Sequence, residues 1–364
     1  MKPLNKKKLY YLMYMVSIVI LILAAFDTYI TFQVHDQLAK MLDRPMRWPV
    51  GAYLYDPNIG FDFAPDLSGP IQDSSFFVKS HHLGYRIGEH ENGEFFQAGG
   101  ILSLGCSFTY GDEVESAETF TQIIADSLHI PAYNYGVCSF SYIHALVKAQ
   151  NLKDKGILDK LRPQYVILGC WKGLTKRSKT PFPPITAKSI PLTAASISKA
   201  DGKLAIRYPL STRQFFELVK MYRSDGPELS FKKFMTIFLS IPKFAYIYLK
   251  NNRLYQQMKE LDPDARVSDY DVYDFYFNGI EKLFSPYGSR IIVLFMPVSA
   301  NEQPDAALLK ALHQHPDILF VNGLKATMKY NVPLNDFKGK HPQAAAHMAY
   351  ARETIHLIET SPAD

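Results

Sequence analysis

The stretch Gly100-Ile101-Leu102-Ser103-Leu104-Gly105-Cys106-Ser107-Phe108-Thr109-Tyr110-Gly111 carries the fold signal of this chain. Ile101 to Leu104 is a short apolar run ending on a glycine, the mark of a buried strand that meets a turn. Beyond the turn, Phe120, Ile123, Ile124 and Leu128 recur at helical spacing and fall on one face. Strand, turn and amphipathic helix follow one another here, and that succession predicts the start of a β-α-β series.

Toward the C-terminus the series continues. Pro131 to Tyr135 predicts a second strand and Ser141 to Leu152 a second helix. Tyr165-Val166-Ile167-Leu168 predicts a third strand, apolar on both sides as buried parallel strands are. After Trp171 the pattern gives way to a Pro-, Ser- and Lys-rich stretch, then to a helical region that reaches about Leu261. Within that region, residues 231–249 are strongly apolar but carry Lys232, Lys233, Lys243 and Pro242. They read as a helical hairpin packed on the domain, with a helix lying on a bilayer surface as the alternative. Asp269 to Phe284 predicts a further helix, Arg290 to Met296 and Ile318 to Val321 two more strands, and Gln343 to Ile358 a C-terminal helix. Strands alternating with helices imply an α/β fold whose parallel sheet is covered on both faces.

Toward the N-terminus, residues 36–98 are rich in Pro, Gly, Asp and aromatics and read as loops with short strands. Leu9 to Phe26 holds no charged residue, and eighteen residues at helical rise span roughly 27 Å, close to a bilayer's hydrocarbon core. No small-x-small cleavage site follows it, so an uncleaved anchor is expected ahead of a signal peptide or a core helix. Lys2, Lys6, Lys7 and Lys8 precede the span, which by the positive-inside rule keeps the N-terminus cytoplasmic. The expected organisation is a cytoplasmic tail over 1–8, a transmembrane anchor over 9–32, an extracytoplasmic linker over 33–98 and a catalytic domain over 99–360. That domain is interrupted by an insertion over about 172–268.

Composition narrows the classes of function. Of the 364 residues 47% are hydrophobic and 21% charged, an ordinary globular balance. The net charge is +5, four units of which sit in the N-terminal lysine cluster, so the body is nearly neutral and lacks the basic stripe of a nucleic-acid binder. No His/Cys/carboxylate spacing fits a metal site, and no cofactor is expected. Cys106, Cys138 and Cys170 lie in a chain expected outside the cytoplasm, where disulfides form. Three is odd; Cys138 with Cys170 is the preferred pair, since Cys106 must leave its neighbour Ser107 free, and buried thiols are the alternative. No Asn-x-Ser/Thr sequon occurs, which favours a bacterial envelope.

In open α/β sheets ligands sit beyond the carboxyl ends of the strands, and Ser107 lies at such an end. The helix that follows offers backbone N–H groups to developing negative charge. Here the chain resembles the SGNH/GDSL hydrolases. Gly105-Cys106-Ser107-Phe108-Thr109-Tyr110-Gly111 is similar to their first block, Asn134-Tyr135-Gly136-Val137-Cys138-Ser139 to their second and His341-Pro342-Gln343 to their last. His82-Leu83-Gly84-Tyr85-Arg86 resembles an element that precedes the first block in membrane-anchored bacterial members.

The resemblance implies a three-layer α/β/α fold, Ser107 as nucleophile and His341 as its base. Where the family's acid precedes the histidine by two or three residues, this chain has Gly339 and Lys338, so the nearest acid, Asp336, is the expected third member, with a Ser107–His341 dyad as the alternative. The oxyanion donors are expected from the backbone of Ser107 and of Ser139, which stands where the family has glycine. Lys172 is the candidate substitute for the missing Asn of the third block, since Gly169-Cys170-Trp171-Lys172-Gly173 holds none, with a solvated loop lysine as the alternative. A serine esterase or O-acyltransferase acting on acyl esters of envelope glycan is thereby implied, with acetyl the expected group and a membrane-bound O-acyltransferase the expected partner. The alternative is a non-catalytic glycan-binding or assembly subunit that uses the same cleft. His347 is expected on the surface of the last helix.

Overall fold

The computed structural model describes residues 7, 10, 11, 14–18, 53, 54, 56–70, 77–90, 97–179, 194–200, 202–209, 267–333 and 341–361. In chain order the strands are β1 (Tyr53–Leu54), β2 (Asp62–Phe63), β3 (Ser68–Pro70), β4 (Phe77–Ser80), β5 (Arg86–Ile87), β6 (Ile101–Leu104), β7 (Ala132–Asn134), β8 (Tyr165–Cys170), β9 (Ser196–Ala200), β10 (Lys203–Arg207), β11 (Arg290–Phe295) and β12 (Leu319–Asn322). The helices are α1 (Ser107–Tyr110), α2 (Phe120–Leu128), α3 (Tyr142–Asp154), α4 (Ile157–Leu161), α5 (Gly173–Lys179), α6 (Asp269–Phe284), α7 (Ala306–Gln314), α8 (Gly323–Lys329) and α9 (Ala344–Thr360).

One sheet runs in the order β12-β11-β8-β6-β7-β5-β4-β3. From β12 to β7 every pairing is parallel, and β5, β4 and β3 continue the sheet antiparallel. The fold is therefore α/β with a mostly parallel central sheet. β6, β8 and β11 are buried along nearly their whole length, because helices cover both of their faces.

Crossover handedness explains where the site must lie. From β6 the chain passes through α2 to β7 on one side, then through α3 back across β6 to β8 on the other. Right-handed crossovers in opposite directions put α2 and α3 on opposite faces of the sheet. The later crossovers to β11 and β12 keep the second direction, so α6 and α7 join α3, while α8 and α9 return to pack with α2. The reversal occurs at β6, and its carboxyl end opens into the crevice where doubly wound sheets bind ligands. Ser107 stands three residues beyond that end.

Local sequence sets the helix starts. Thr119 caps α2 by accepting from Gln122 N, Ser141 and His144 form a reciprocal capping box on α3, and Ser268 and Asp271 form one on α6. The sheet begins earlier than the Gly100 start that the apolar pattern predicts. Strands β3 to β5 are too short to show an alternating pattern, yet they extend the sheet, β5 pairing with β7 through Arg86 and Asn134. Within the predicted insertion, α5 and the β9–β10 hairpin are ordered parts of the fold. The apolar segment 231–249 lies outside the described residues. Among the described residues no helix is long and apolar enough to cross a membrane. Lys7, Tyr10, Tyr11 and residues 14–18 are helical, and the remainder of the expected anchor over 9–32 lies outside the described residues.

Candidate functional site

The turn that carries Ser107 is held by contacts from its own helix and from the segment after β7. Cys106 is extended, the chain then makes one helical turn, and Gly111 closes it in the left-handed conformation, its N–H donating to Ser107 O at 3.0 Å. A side chain at Gly136 would overlap the backbone of Tyr110, so the segment after β7 and helix α1 touch main chain to main chain. Asn134 Nδ2 donates to Thr109 O at 2.9 Å while its Oδ1 accepts from Gly136 N at 3.0 Å. Val137 N donates to Gly105 O at 3.1 Å and ties the two blocks together. Ser139, where the resemblance places a glycine, adopts φ 70°, a left-handed backbone that costs a side-chain-bearing residue roughly 1 kcal/mol or more.

His341 comes to this turn from the far end of the chain. Its Nε2 lies 2.9 Å from Ser107 Oγ, and its ring packs edge-on against Phe108. Ser107 is buried, and the His341 side chain is 25% exposed, so the imidazole has one edge in solvent. With the proton on Nδ1, Nε2 is free to accept from the serine hydroxyl, the arrangement a general base requires.

The carboxylate facing Nδ1 is one that sequence spacing does not suggest. Glu113 Oε1 stands 3.4 Å from His341 Nδ1. Gln343 Nε2 donates to Glu113 Oε2 at 3.0 Å and to His341 O at 3.0 Å, so the residue after Pro342 ties Glu113 to His341. Glu113 itself adopts φ 78°, a conformation most non-glycine residues avoid. Asp112 approaches from the other side, its Oδ2 3.4 Å from His341 Nε2 and its side chain only 5% exposed. Two consecutive acids one turn after the nucleophile are the only sequence signal for this bracket. Asp336, the expected acid, lies outside the described residues.

After the third strand Lys172 is exposed, and the Trp171 side chain packs on the turn that carries Ser107. Its ring stacks on Phe108 at 5.7 Å, with the Arg177 guanidinium 5.0 Å above the indole. The preferred Cys138–Cys170 disulfide is not formed: all three cysteines are buried thiols. The two thiols face different neighbours, Cys138 the Tyr53 hydroxyl and Cys170 the Tyr142 hydroxyl. His347 is not on the surface either. It is fully buried, stacked on Phe120 at 5.7 Å, and its Nδ1 accepts from Phe120 N at 3.2 Å. Burial first, then the charge of Arg86 and the nearby His341, pushes its pKa down to about 3, so it is neutral and structural. Among the described residues no group of three or more His, Cys, Asp or Glu side chains is arranged to hold a metal ion.

No family model matches the chain, and no curated protein matches it. Solved structures do align with it. A lipolytic protein of the G-D-S-L family from Veillonella parvula is 12% identical, with a TM-score of 0.37 over 72% of this chain and 100% of its own. An acetylxylan esterase from Geobacillus stearothermophilus is 11% identical, with a TM-score of 0.35 over 73% and 96%. An acetyl xylan esterase from Butyrivibrio proteoclasticus is 10% identical, with a TM-score of 0.37 over 74% and 65%.

Proposed function

We propose that this chain is a serine-dependent esterase or O-acyltransferase that cleaves or transfers acyl groups, acetyl first among them, on a cell-envelope glycan. The observation that carries the reading is the 2.9 Å approach of His341 Nε2 to Ser107 Oγ, with Glu113 at the opposite ring nitrogen. In this mechanism Ser107 Oγ attacks the acyl carbon as its proton passes to His341 Nε2. Negative charge gathers on the carbonyl oxygen, facing backbone N–H groups of Ser107 and Ser139. Collapse expels the alcohol, which takes the proton from the imidazolium, and leaves an acyl-Ser107. Water then resolves the acyl-enzyme in an esterase, a sugar hydroxyl in a transferase, with His341 again the base. Glu113 orients the ring and stabilises its charged form; Asp336 is not required for that role.

The uncharged span from Leu9 to Phe26 behind a lysine cluster supports a single-pass anchor with the catalytic domain outside the cytoplasm. In such a position a membrane-bound O-acyltransferase is the natural acyl donor. The test uses the full chain in detergent with p-nitrophenyl acetate and a fluorophosphonate label. Wild type should hydrolyse and label, and Ser107→Ala and His341→Ala should lose both. Activity in the variants equal to wild type overturns the proposal, and an unreactive wild type returns the chain to a binding role.

A further inference from the structure

We infer that Arg86 is a positioning residue that acts through Glu113 on His341; this rests on the Ser107–His341 reading above. Arg86 is only 4% exposed, and among the described residues no carboxylate pairs with it. A buried guanidinium needs strong compensation, and here all of it comes from one short loop. Nη1 donates to Tyr110 O at 2.6 Å and to Gly111 O at 2.7 Å, and Nη2 donates to Val114 O at 2.6 Å. The guanidinium also lies 4.7 Å from the centre of the Tyr110 ring.

The loop so held contains Asp112 and Glu113, the two carboxylates that bracket the imidazole. Arg86 grips the carbonyl two residues before Glu113 and the one immediately after it, so the chain is anchored on both sides of the left-handed Glu113 by a single group. Val114 N closes the same turn on Gly111 O at 3.2 Å. The neighbouring strand contributes too. Arg86 stands directly opposite Asn134 across β5 and β7, which puts both side chains on one face, and Asn134 Nδ2 also reaches Tyr110 O at 3.3 Å. A planar fork with fixed donor directions can bind three carbonyls at once; a lysine ammonium on a flexible stem cannot hold that geometry.

The experiment is a double-mutant cycle in the full chain, with hydrogen exchange as an activity-independent readout. R86K should lower kcat on p-nitrophenyl acetate about 10- to 100-fold with KM changed less than about threefold. In the Glu113→Gln background the same change should cost less than about twofold, because the group it positions is already gone. Amides of residues 110–114 should exchange at least about tenfold faster in R86K while β8 and β11 keep wild-type protection. Equal losses in both backgrounds make Arg86 a merely structural residue and overturn the inference, as does unchanged exchange in the loop. Arg86→Gln serves in the same cycle where R86K does not fold. If Ser107→Ala retains activity the catalytic reading fails instead, and the exchange result still decides whether Arg86 holds the loop.

Discussion

Glu113→Gln tests the acid assignment without changing the size of the side chain. Gln343 can still donate to the remaining amide oxygen, so the connection from residue 113 to the backbone of His341 persists. What changes is the charge beside Nδ1 and the identity of the atom facing it. An amide nitrogen turned toward His341 would force the ring proton onto Nε2, where it faces Ser107 and removes the acceptor. The charge term follows from the 3.4 Å separation. Coulomb attraction to the imidazolium at that distance is roughly 5 kcal/mol at an effective dielectric of about 20 and roughly 1 kcal/mol in bulk water. The two side chains are 25% and 24% exposed, so the pair lies between these limits. A loss of about 3 kcal/mol corresponds to roughly a hundredfold in kcat. Steady-state hydrolysis of p-nitrophenyl acetate should show that loss with KM little changed, while the urea midpoint stays within the equivalent of about 1 kcal/mol. Asp336→Asn, measured in parallel, should cost less than about tenfold. A Glu113→Gln protein within twofold of wild type, beside an Asp336→Asn protein reduced by orders of magnitude, would give the role to Asp336 instead.

Gly136→Ala should destabilise the fold by about 1–3 kcal/mol, since the new methyl has only the Tyr110 backbone to displace; urea unfolding measures this, and an unchanged midpoint contradicts the close approach. Acid should weaken the protein through His144 and His347, both buried with pKa values pushed down to about 3 by desolvation. The unfolded chain protonates these rings below about 6.5 and the native state does not. Stability is therefore full above that pH and falls as pH drops toward 3, by up to about 1.4 kcal/mol per pH unit for each ring. Urea midpoints taken from pH 7 to 4.5 should slope accordingly, and His347→Asn should flatten the slope.

The parts of the fold legible in the sequence are those with long apolar runs. β6 and β8 read as buried apolar runs, and α2 and α6 announce themselves by period. Short strands are expected before Gly100, but that β3 to β5 join the main sheet is not legible, because two to four residues show no periodicity and β5's partner β7 is distant in sequence. Ser107 and His341 are legible because glycine-flanked serine and His-Pro are local patterns. Glu113 is not, since its approach to His341 depends on a left-handed turn that sequence assigns to glycine, and on a contact 228 residues long. His347 carried a readable signal: with Tyr350, Ala351, Thr354 and Ile358 it forms the buried stripe of α9, which marks it as core despite its polarity.

In the proposed arrangement the carboxylate sits on the nucleophile's own loop, Ser107 and Glu113 being six residues apart in one continuous turn. The segment before His341 is then relieved of supplying an acid and has only to deliver an imidazole. Its length and composition become free to drift, so the Lys338 and Gly339 that depart from the family pattern register no defect. On that proposal the duty has passed to another part of the chain, and a search by the spacing of acid to histidine would pass this sequence over.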